Sequence, residues 1–392
     1  MFDGIRRLRS EFELPAAARR ERRRDRRGLP PDDPGVDRVI DEGVAWLGRA
    51  QDASASHDGG IPRHYSLRQG GWSTSYPEIT GYIVPTLLHY ARLRRDDGVR
   101  ARARRMLDWL VSIQLSEGAF QGGLVDARPI VPVAFNTGQI LLGLAAGVRE
   151  FGDYREPMRR AANWLVAGQD PDGCWRRYPT PFAEPGEKSY DTHAAWGLLE
   201  AARLEEDGSY LDAALANVRW ALSQQRASGW FDSCCLDDPA RPLTHTLGYA
   251  LRGILEAYRS SKDDVLLDAA RRMADGLLAS LGDDGHLPGR LLPDWRPGVA
   301  WACLTGSVQV AHCWLLLHRI TGEGRYRDAG CLANGYVRRT VRVDRAPELR
   351  GGVKGSFPVD GGFGPYEYAG CAVKFCVDAN LLESEIRTEG SA

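Results

Sequence analysis

The sequence predicts an all-α chain whose six helical hairpins close into a barrel with an inner and an outer ring of helices, an (α/α)6 toroid. Two observations predict this fold. A short pattern recurs six times at a nearly constant spacing, and amphipathic helices alternate with helices that are apolar on every side. A fixed period is typical of folds built from repeated units. Six units without polar terminal repeats favour a closed ring over an open solenoid or two stacked bundles.

The recurring pattern combines a bulky residue near the end of a helix with a polar residue five places on. The copies are WLGRAQ (46–51), WLVSIQ (109–114), WLVAGQ (164–169), WALSQQ (220–225), the weaker GLLASL (276–281) and GYVRRT (335–340). Their first residues lie 63, 55, 56, 56 and 59 positions apart. Glycine-containing turns follow the first five copies, namely DGG (58–60), EGAF (117–120), DGCW (172–175), SGWF (228–231) and DDGH (283–286).

Helices that carry the pattern are amphipathic and are expected to form the outer ring. In the second, Ala103, Met106, Leu107, Leu110 and Ile113 share one stripe. The helices between the copies are almost uniformly apolar, which is typical of buried helices, so they are expected to form the inner ring. They are predicted at 79–93, 137–148, 192–204, 246–258, 307–320 and 371–382.

The connections from outer to inner helices are long, whereas those from inner to outer helices are short and acidic or glycine-rich. The long connections, called loops one to six below, span 52–77, 115–134, 170–190, 226–243, 282–303 and 341–367. Loops of this length in a compact domain are usually functional. Because all six should emerge on one face, the sequence predicts the working site at that mouth.

The overall composition is that of a globular protein, with 43% hydrophobic residues, 26% charged residues and a formal net charge of −1. This balance gives no indication of a nucleic-acid or membrane partner. One basic run, RRERRRDRR (19–27), stands out. It predicts an N-terminal basic arm or helix over 1–37, solvated and without a dedicated partner, followed by a toroid domain over 38–392.

Nothing in the sequence resembles an export signal or a membrane span. The eight cysteines include no CxxC pair, and several lie in apolar helical runs, which indicates buried, reduced thiols. These features favour the cytoplasm. They leave the oligomeric state open.

Two glutamates are candidates for acid–base catalysis at the mouth. Pro77 sets Glu78 at the start of the first inner helix, within SYPEITGY. Glu367, in GPYEYAG, has the equivalent place on the sixth, which neighbours the first if the ring closes. Two carboxyl groups facing each other there would act as acid and base.

Three further candidates lie at the starts of other inner helices. Asp191 is a third possible carboxylate, and His193 and His245 have corresponding positions on the third and fourth inner helices. The alternative for Asp191, as for Asn136, is a plain helix cap. A lone histidine in such a place is often only hydrogen-bonded.

The long loops also hold aromatic and cationic side chains of the kind that bind sugars, by stacking on sugar rings and by bidentate polar contacts. Cations beside six helix N-termini should attract an anionic group such as a uronic acid, sulfate or phosphate. The candidate binding residues are His64, Tyr65, Arg68, Trp72, Tyr76, Arg128, Asn136, Trp175, Arg177, Tyr190, Trp230, Trp295, Lys354 and Tyr366.

The repeated W-x4-Q followed by glycine and an aromatic residue, as in WLVAGQDPDGCW (164–175), resembles the repeat of three groups of toroid enzymes. These are the terpenoid cyclases and prenyltransferases, the six-hairpin glycosidases and the toroid polysaccharide lyases. The resemblance covers most of residues 38–385 and implies the fold, but these groups share little chemistry.

Family motifs separate the groups only in part. The acidic DxDD motif of squalene-type cyclases is approached only by Leu236–Pro239, which departs from it. Asp232, Cys234 and His245 partly match the zinc ligands of prenyltransferase β subunits, although a local, partial cluster favours no metal. No phosphate-cradling loop is present, and no cofactor is predicted.

The sequence therefore predicts an enzyme that acts on an anionic oligosaccharide or sugar conjugate. Glycosidic cleavage by Glu78 with Asp191 or Glu367 is the first expectation. The alternatives are a uronate lyase or C5-epimerase, a terpenoid cyclase-like enzyme, and a non-catalytic toroid that binds glycans or proteins. By resemblance to toroid lyases, Asn136, His193, Tyr190 and Arg128 would supply the lyase or epimerase site.

Overall fold

The computed structural model describes residues 14–184, 186–206, 208–344 and 346–389, and it confirms the predicted toroid. Within these residues a short first helix, α1, covers Ala16–Asp25. The outer helices are α2 (Val36–Ala53), α4 (Asp97–Ser112), α6 (Arg155–Gly168), α8 (Gly208–Ser223), α10 (Asp264–Leu278) and α12 (Gly324–Thr340). The inner helices are α3 (Pro77–Arg94), α5 (Ala134–Phe151), α7 (Thr192–Ala202), α9 (Thr244–Ser261), α11 (Leu304–Thr321) and α13 (Gly370–Glu389).

The inner helices form a closed ring. Each packs against the next inner helix, and α13 packs back onto α3; the first outer helix, α2, also packs against α13. Glycines allow the inner helices to approach closely. A Cβ on Gly143 of α5 would lie 2.4 Å from the backbone oxygen of Gly81 on α3, and one on Gly197 of α7 would lie 2.2 Å from that of Gly138. Larger residues at these positions would push the ring apart.

Short strands join the loops on the mouth side. Strands β1 (His64–Ser66), β2 (Gly71–Trp72) and β5 (Glu367–Ala369) form an antiparallel sheet in the order β2-β1-β5. This sheet joins loop one to loop six across the seam of the ring. Strands β3 (Ala302–Cys303) and β4 (Ser356–Phe357) pair in the same way between loops five and six.

The repeated glutamine links neighbouring outer helices. The side-chain amide of Gln169 donates to the backbone oxygen of Gly173 in its own turn, at 3.0 Å, and to that of Ala213 on the next outer helix, at 2.8 Å. Three other copies, Gln51, Gln114 and Gln225, make the same pair of contacts. The residue that defines the repeat therefore stabilises the fold.

A glycine with positive φ follows each of the six outer helices and lies against the backbone of the next one. In turn three, φ of Gly173 is +94°, and a Cβ there would lie 2.5 Å from the oxygen of Ala216. The six glycines are Gly59, Gly118, Gly173, Gly229, Gly285 and Gly351. Only glycine adopts this backbone geometry without strain and leaves room for the neighbouring carbonyl.

The basic helix α1 packs on loop six. Its Asp25 carboxylate accepts hydrogen bonds from Lys354 Nζ at 2.6 Å and from the Val359 amide at 2.8 Å. Glu21 lies 3.2 Å from Arg342 Nη1. The helix is thus held by buried acidic side chains, in contrast to the expectation of a solvated arm. Residues 1–13 of the predicted arm lie outside the described residues.

All eight cysteines are free, and seven of them are buried. Over the described part of the chain, none of the helices combines the length and apolar character that crossing a membrane requires.

Candidate active site

A cavity of about 260 Å³ lies at the end of the ring where the inner helices begin. Most of its wall comes from the first two turns of α3, α5, α9 and α13, and the remainder comes from the long loops. The wall consists of Arg63, Tyr76, Glu78, Ile79, Tyr82, Phe135, Asn136, Thr180, Phe182, Tyr190, Leu236, His245, Thr246, Tyr249, Phe363 and Cys371. It is an aromatic cavity with a small number of polar groups, as is usual for small-molecule sites.

Glu78 is the carboxyl group of this wall. Pro77 is the first residue of α3, so Glu78 lies in the first helical turn, where its side chain is 9% exposed. The Asn136 amide donates to its Oε2 at 3.0 Å. Burial raises the pKa of Glu78 to about 8, against the opposing effects of Arg63 and a hydrogen bond with Tyr76. Glu78 is therefore protonated near neutral pH and can donate a proton.

Asn136 does not cap its helix. Helix α5 begins two residues earlier, at Ala134, and the Asn136 side chain turns to Glu78 on the neighbouring inner helix. The interpretation of Asn136 as a plain cap is therefore wrong. Its amide contributes a donor to the carboxyl group of the cavity.

His245 is the imidazole of the wall. Its Nδ1 lies 2.6 Å from Oε1 of Gln309 on α11, and its ring lies 4.4 Å from Tyr249 and 5.1 Å from Phe363. Burial lowers the pKa of His245 to about 4. With the Gln309 oxygen as acceptor, Nδ1 carries the proton and Nε2 keeps its lone pair. The cavity thus combines a protonated carboxyl group with a neutral imidazole.

His193 lies behind the wall. Its side chain is buried at 1% exposure, with Nδ1 2.8 Å from Oε1 of Gln139. The Tyr249 ring lies between the two histidines, 4.5 Å from His193 and 4.4 Å from His245. Burial first, and then the charges of Lys374 and Arg252, hold the pKa of His193 well below its usual range.

Asp191 also lies outside the wall. It ends the 3-10 turn Ser189–Asp191 that precedes α7, and its side chain forms no capping hydrogen bond. Burial raises its pKa to about 8, with Lys188 opposing. The neighbouring Tyr190 is part of the wall, and its pKa is raised by burial and then by nearby groups that include both Asp191 and Glu78. Tyr190 therefore lies near both carboxyl groups.

Glu367 lies on β5 and not in the cavity wall. Its Oε2 is 3.5 Å from Nδ1 of His64, on the paired strand β1. Burial raises the pKa of Glu367, and Arg63 and Arg68 oppose this effect. The wall thus contains Glu78 and His245 out of the five predicted catalytic residues.

Arg63 is a wall residue that the sequence analysis missed. It is exposed, it directly precedes β1, and its charge lowers the pKa of both Glu78 and Glu367. Among the described residues no carboxylate lies within ion-pair distance of it. The available signal was its place in loop one, directly before the predicted binding residue His64.

Three predicted binding residues, Tyr76, Asn136 and Tyr190, line the cavity. The predicted tryptophans instead pack the loops. Trp230 and Trp295 lie 5.1 Å apart, and the indole of Trp175 donates to the Leu165 oxygen at 2.9 Å. Trp72 contacts Trp46 and Tyr65.

The predicted cations contact other parts of the protein. Arg128 donates to the backbone oxygens of Val125 and Ala127, and Arg177 lies 3.8 Å from Asp170. Arg68 stacks 4.6 Å above the ring of Tyr366, and Lys354 is bound to α1. Arg63 is the cation that lines the cavity.

The aromatic residues Phe135, Tyr249 and Phe363 were also missed. Tyr249 follows His245 by one helical turn, and Phe135 directly precedes Asn136, so both had a positional signal. Phe363 had none, because it lies in the glycine-rich segment GGFG of loop six.

The partial zinc motif does not come together. Asp232 pairs with Arg226 at 2.6 Å, Cys234 Sγ contacts the Thr246 oxygen, and His245 is bound to Gln309. Within the described ranges, groups of three or more His, Cys, Asp or Glu side chains that could hold a metal are absent.

Comparison with solved structures shows several similar toroids. An unsaturated glucuronyl hydrolase specific for heparin has a TM-score of 0.73 and 16% identity, over 90% of this chain and 98% of that chain. D-mannose isomerase has a TM-score of 0.70 and 11% identity, over 92% and 100%. Cellobiose 2-epimerase from Bacillus thermoamylovorans has a TM-score of 0.64 and 12% identity, over 88% and 99%.

The fold is therefore that of the (α/α)6 toroids. No protein-family model matches the chain, and neither does any curated protein sequence. At these identities the likeness defines the scaffold and not the chemistry.

Proposed function

We propose that this chain is a carbohydrate-active enzyme that cleaves the glycosidic bond of a terminal sugar, with Glu78 as the proton donor. The observation that carries the proposal is the buried carboxyl group of Glu78, which accepts a hydrogen bond from Asn136 in an aromatic cavity. Cleavage of a glycosidic bond requires protonation of the leaving oxygen by an acid whose pKa is raised. His245, neutral on the same wall, is the base available to activate water.

The size and lining of the cavity support a single terminal sugar. Its volume of about 260 Å³ is below the ~300–1,000 Å³ of sites for drug-sized ligands. Seven tyrosine and phenylalanine side chains line it, and aromatic faces stack on sugar rings. Arg63 lines the cavity and has no ion-pair partner among the residues that the structure describes, so it is the candidate for binding a carboxylate on that sugar. A glucuronyl hydrolase, an isomerase and an epimerase are among the similar structures, which favours a sugar over a terpenoid.

His245 favours a second candidate function, proton transfer at a carbon atom of the sugar. Its low pKa and its fixed Nδ1 leave Nε2 free to accept a proton. In a lyase, an epimerase or an isomerase, Nε2 would remove a proton next to a carbonyl or carboxyl group, while Glu78 or a buried tyrosine would return one.

Product analysis of the wild type, Glu78→Gln and His245→Ala on acidic oligosaccharides separates these functions. Hydrolysis by the proposed route predicts new reducing ends and loss of turnover in Glu78→Gln. Elimination would give ultraviolet absorbance, and epimerisation would exchange a carbon-bound hydrogen for solvent deuterium. Full turnover in both variants would contradict the site. Sugar binding without any product would indicate a non-catalytic toroid.

A further inference from the structure

A second concave surface lies outside the candidate active site. It is an open groove of about 900 Å³ between α1 and the start of loop six, and we call it the arginine groove. Its lining consists of Ala17, Arg20, Glu21, Arg23, Arg24, Arg27, Gly28, Leu29, Pro30, Pro31, Arg342, Ala346 and Leu349. The basic run over residues 19–27 supplies one side of the groove.

The charges of α1 are divided between the toroid and the groove. Glu21 and Asp25 are buried and turned towards Lys354 and Arg342 of loop six. Their negative charges are therefore matched inside the protein. The four arginines of α1 in the lining have no such carboxylate partners among the described residues; they are Arg20, Arg23, Arg24 and Arg27. The groove keeps a net positive charge.

Arg342 provides a buried cation at the groove. Its side chain is 6% exposed, and Nη1 lies 3.2 Å from Oε2 of Glu21. Its Nε and Nη2 are buried without a hydrogen-bond partner in the described part of the protein. A buried donor without a partner is unfavourable, and more so when it is charged, so an oxyanion at this place would be stabilised. Guanidinium groups bind sulfate, phosphate and carboxylate through two parallel hydrogen bonds.

We propose that the arginine groove binds the sulfate or carboxylate groups of an acidic oligosaccharide and so extends substrate binding beyond the cavity. The choice of a saccharide rests on the function proposed above. Loop six borders both places, since Arg342 lines the groove and Phe363 lines the cavity. A single-stranded nucleic acid fits less well, because the described lining offers no aromatic ring on which a base would stack.

The test is calorimetric binding of a sulfated, heparin-derived hexasaccharide to Glu78→Gln enzyme, with and without Arg20→Ala, Arg23→Ala and Arg27→Ala together. These three side chains line the groove from the exposed side of α1, and the Arg342–Glu21 pair is kept, so the fold should be unaffected. The triple variant is expected to bind at least about tenfold more weakly, with a smaller dependence of affinity on salt.

The matched control removes three exposed arginines elsewhere, Arg104, Arg296 and Arg327. Equal weakening of hexasaccharide binding in the control would overturn the proposed role of the groove, because it would show only a general charge effect. Tighter binding of a single-stranded oligonucleotide than of the hexasaccharide would overturn the choice of ligand.

A second variant, Arg342→Met, tests the buried cation. It is expected to weaken hexasaccharide binding with an unchanged circular dichroism spectrum, and unchanged affinity would contradict its role. The two proposals fail separately. Turnover by the wild type together with unaltered affinity of the triple variant would remove the groove proposal alone. Groove-dependent binding without turnover by the wild type would remove the proposed function alone.

Discussion

Gly351, in the turn that follows the sixth outer helix, lies directly against the backbone oxygen of Glu42 in the first. A Cβ on Gly351 would be 2.0 Å from that oxygen, and its φ is +79°. Each of the other five repeat glycines lies against the next outer helix along the chain. The sixth contact instead returns to α2, so Gly351 completes the ring.

Gly351→Ala is therefore expected to destabilise the whole toroid. The substitution forces α2 and loop six apart in addition to straining the backbone, and we expect a loss of about 3 kcal/mol or more in unfolding free energy. Chemical denaturation checks this value. Gly70→Ala is the matched control, because Gly70 has φ +68° and open space around it. A loss no larger than that of the control would show that the contact with Glu42 is unimportant.

The architecture could be predicted from the sequence because the repeated residues are the ones that make the contacts between neighbouring outer helices. Gln169 and its copies mark the links between outer helices, and the turn glycines mark close approaches. The sixth glycine was missed, since Gly351 follows its helix motif by sixteen residues where Gly173 follows by nine. The longer spacing hides the repeat in the sequence, although Gly351 still makes the same contact with a neighbouring outer helix.

The site was less accessible from the sequence for a physical reason. Glu78 was found because Pro77 fixes the start of its helix. The predicted tryptophans, by contrast, form part of the same turns that pack the outer helices, so Trp175 and Trp230 are buried. Which aromatic side chains face the cavity depends on how neighbouring helices are rotated, and one sequence does not give that rotation.

The alkaline limb of the pH profile should report Glu78. A proton donor acts only while protonated, and the pKa of Glu78 is about 8. The value of kcat/KM is therefore expected to fall as pH rises through about 8. If His245 is the base, kcat/KM also falls as pH decreases through about 4, where His245 gains a proton. Initial rates across this range check both limbs, and activity that rises above pH 8 would contradict Glu78 as the acid.

Glu78→Gln should lower kcat by about 10²–10⁴-fold, the usual contribution of a general acid. Because glutamine keeps a similar shape and accepts the hydrogen bond from Asn136, substrate affinity should change little. Steady-state kinetics and calorimetric binding measure the two effects. Glu367→Gln, outside the cavity wall, is the comparison. A greater loss of kcat in that variant would indicate that Glu367, on β5, is the general acid.

Arg63→Ala should raise KM for a substrate with a terminal carboxylate and leave KM for a neutral analogue unchanged. The same variant should move the alkaline limb to higher pH, because Arg63 lowers the pKa of Glu78. Arg68→Ala is the matched control, since Arg68 stacks on Tyr366 outside the wall. An alkaline limb that stays in place in Arg63→Ala would show that Arg63 does not act on the acid.

The pH dependence of the protein's stability should also reflect its buried carboxyl groups. The pKa values of Glu78 and Asp191 are raised to about 8 in the folded state, from 4.5 and 3.8. The folded state thus holds protons that the unfolded chain releases, so this contribution is present in full at low pH and is lost as pH rises towards 8. For Glu78→Gln and Asp191→Asn, the melting temperature relative to that of the wild type should therefore increase as pH rises from 5 to about 8. Glu205→Gln, whose carboxyl has a lowered pKa, should show no such gain, and equal slopes in all variants would contradict the buried, protonated state.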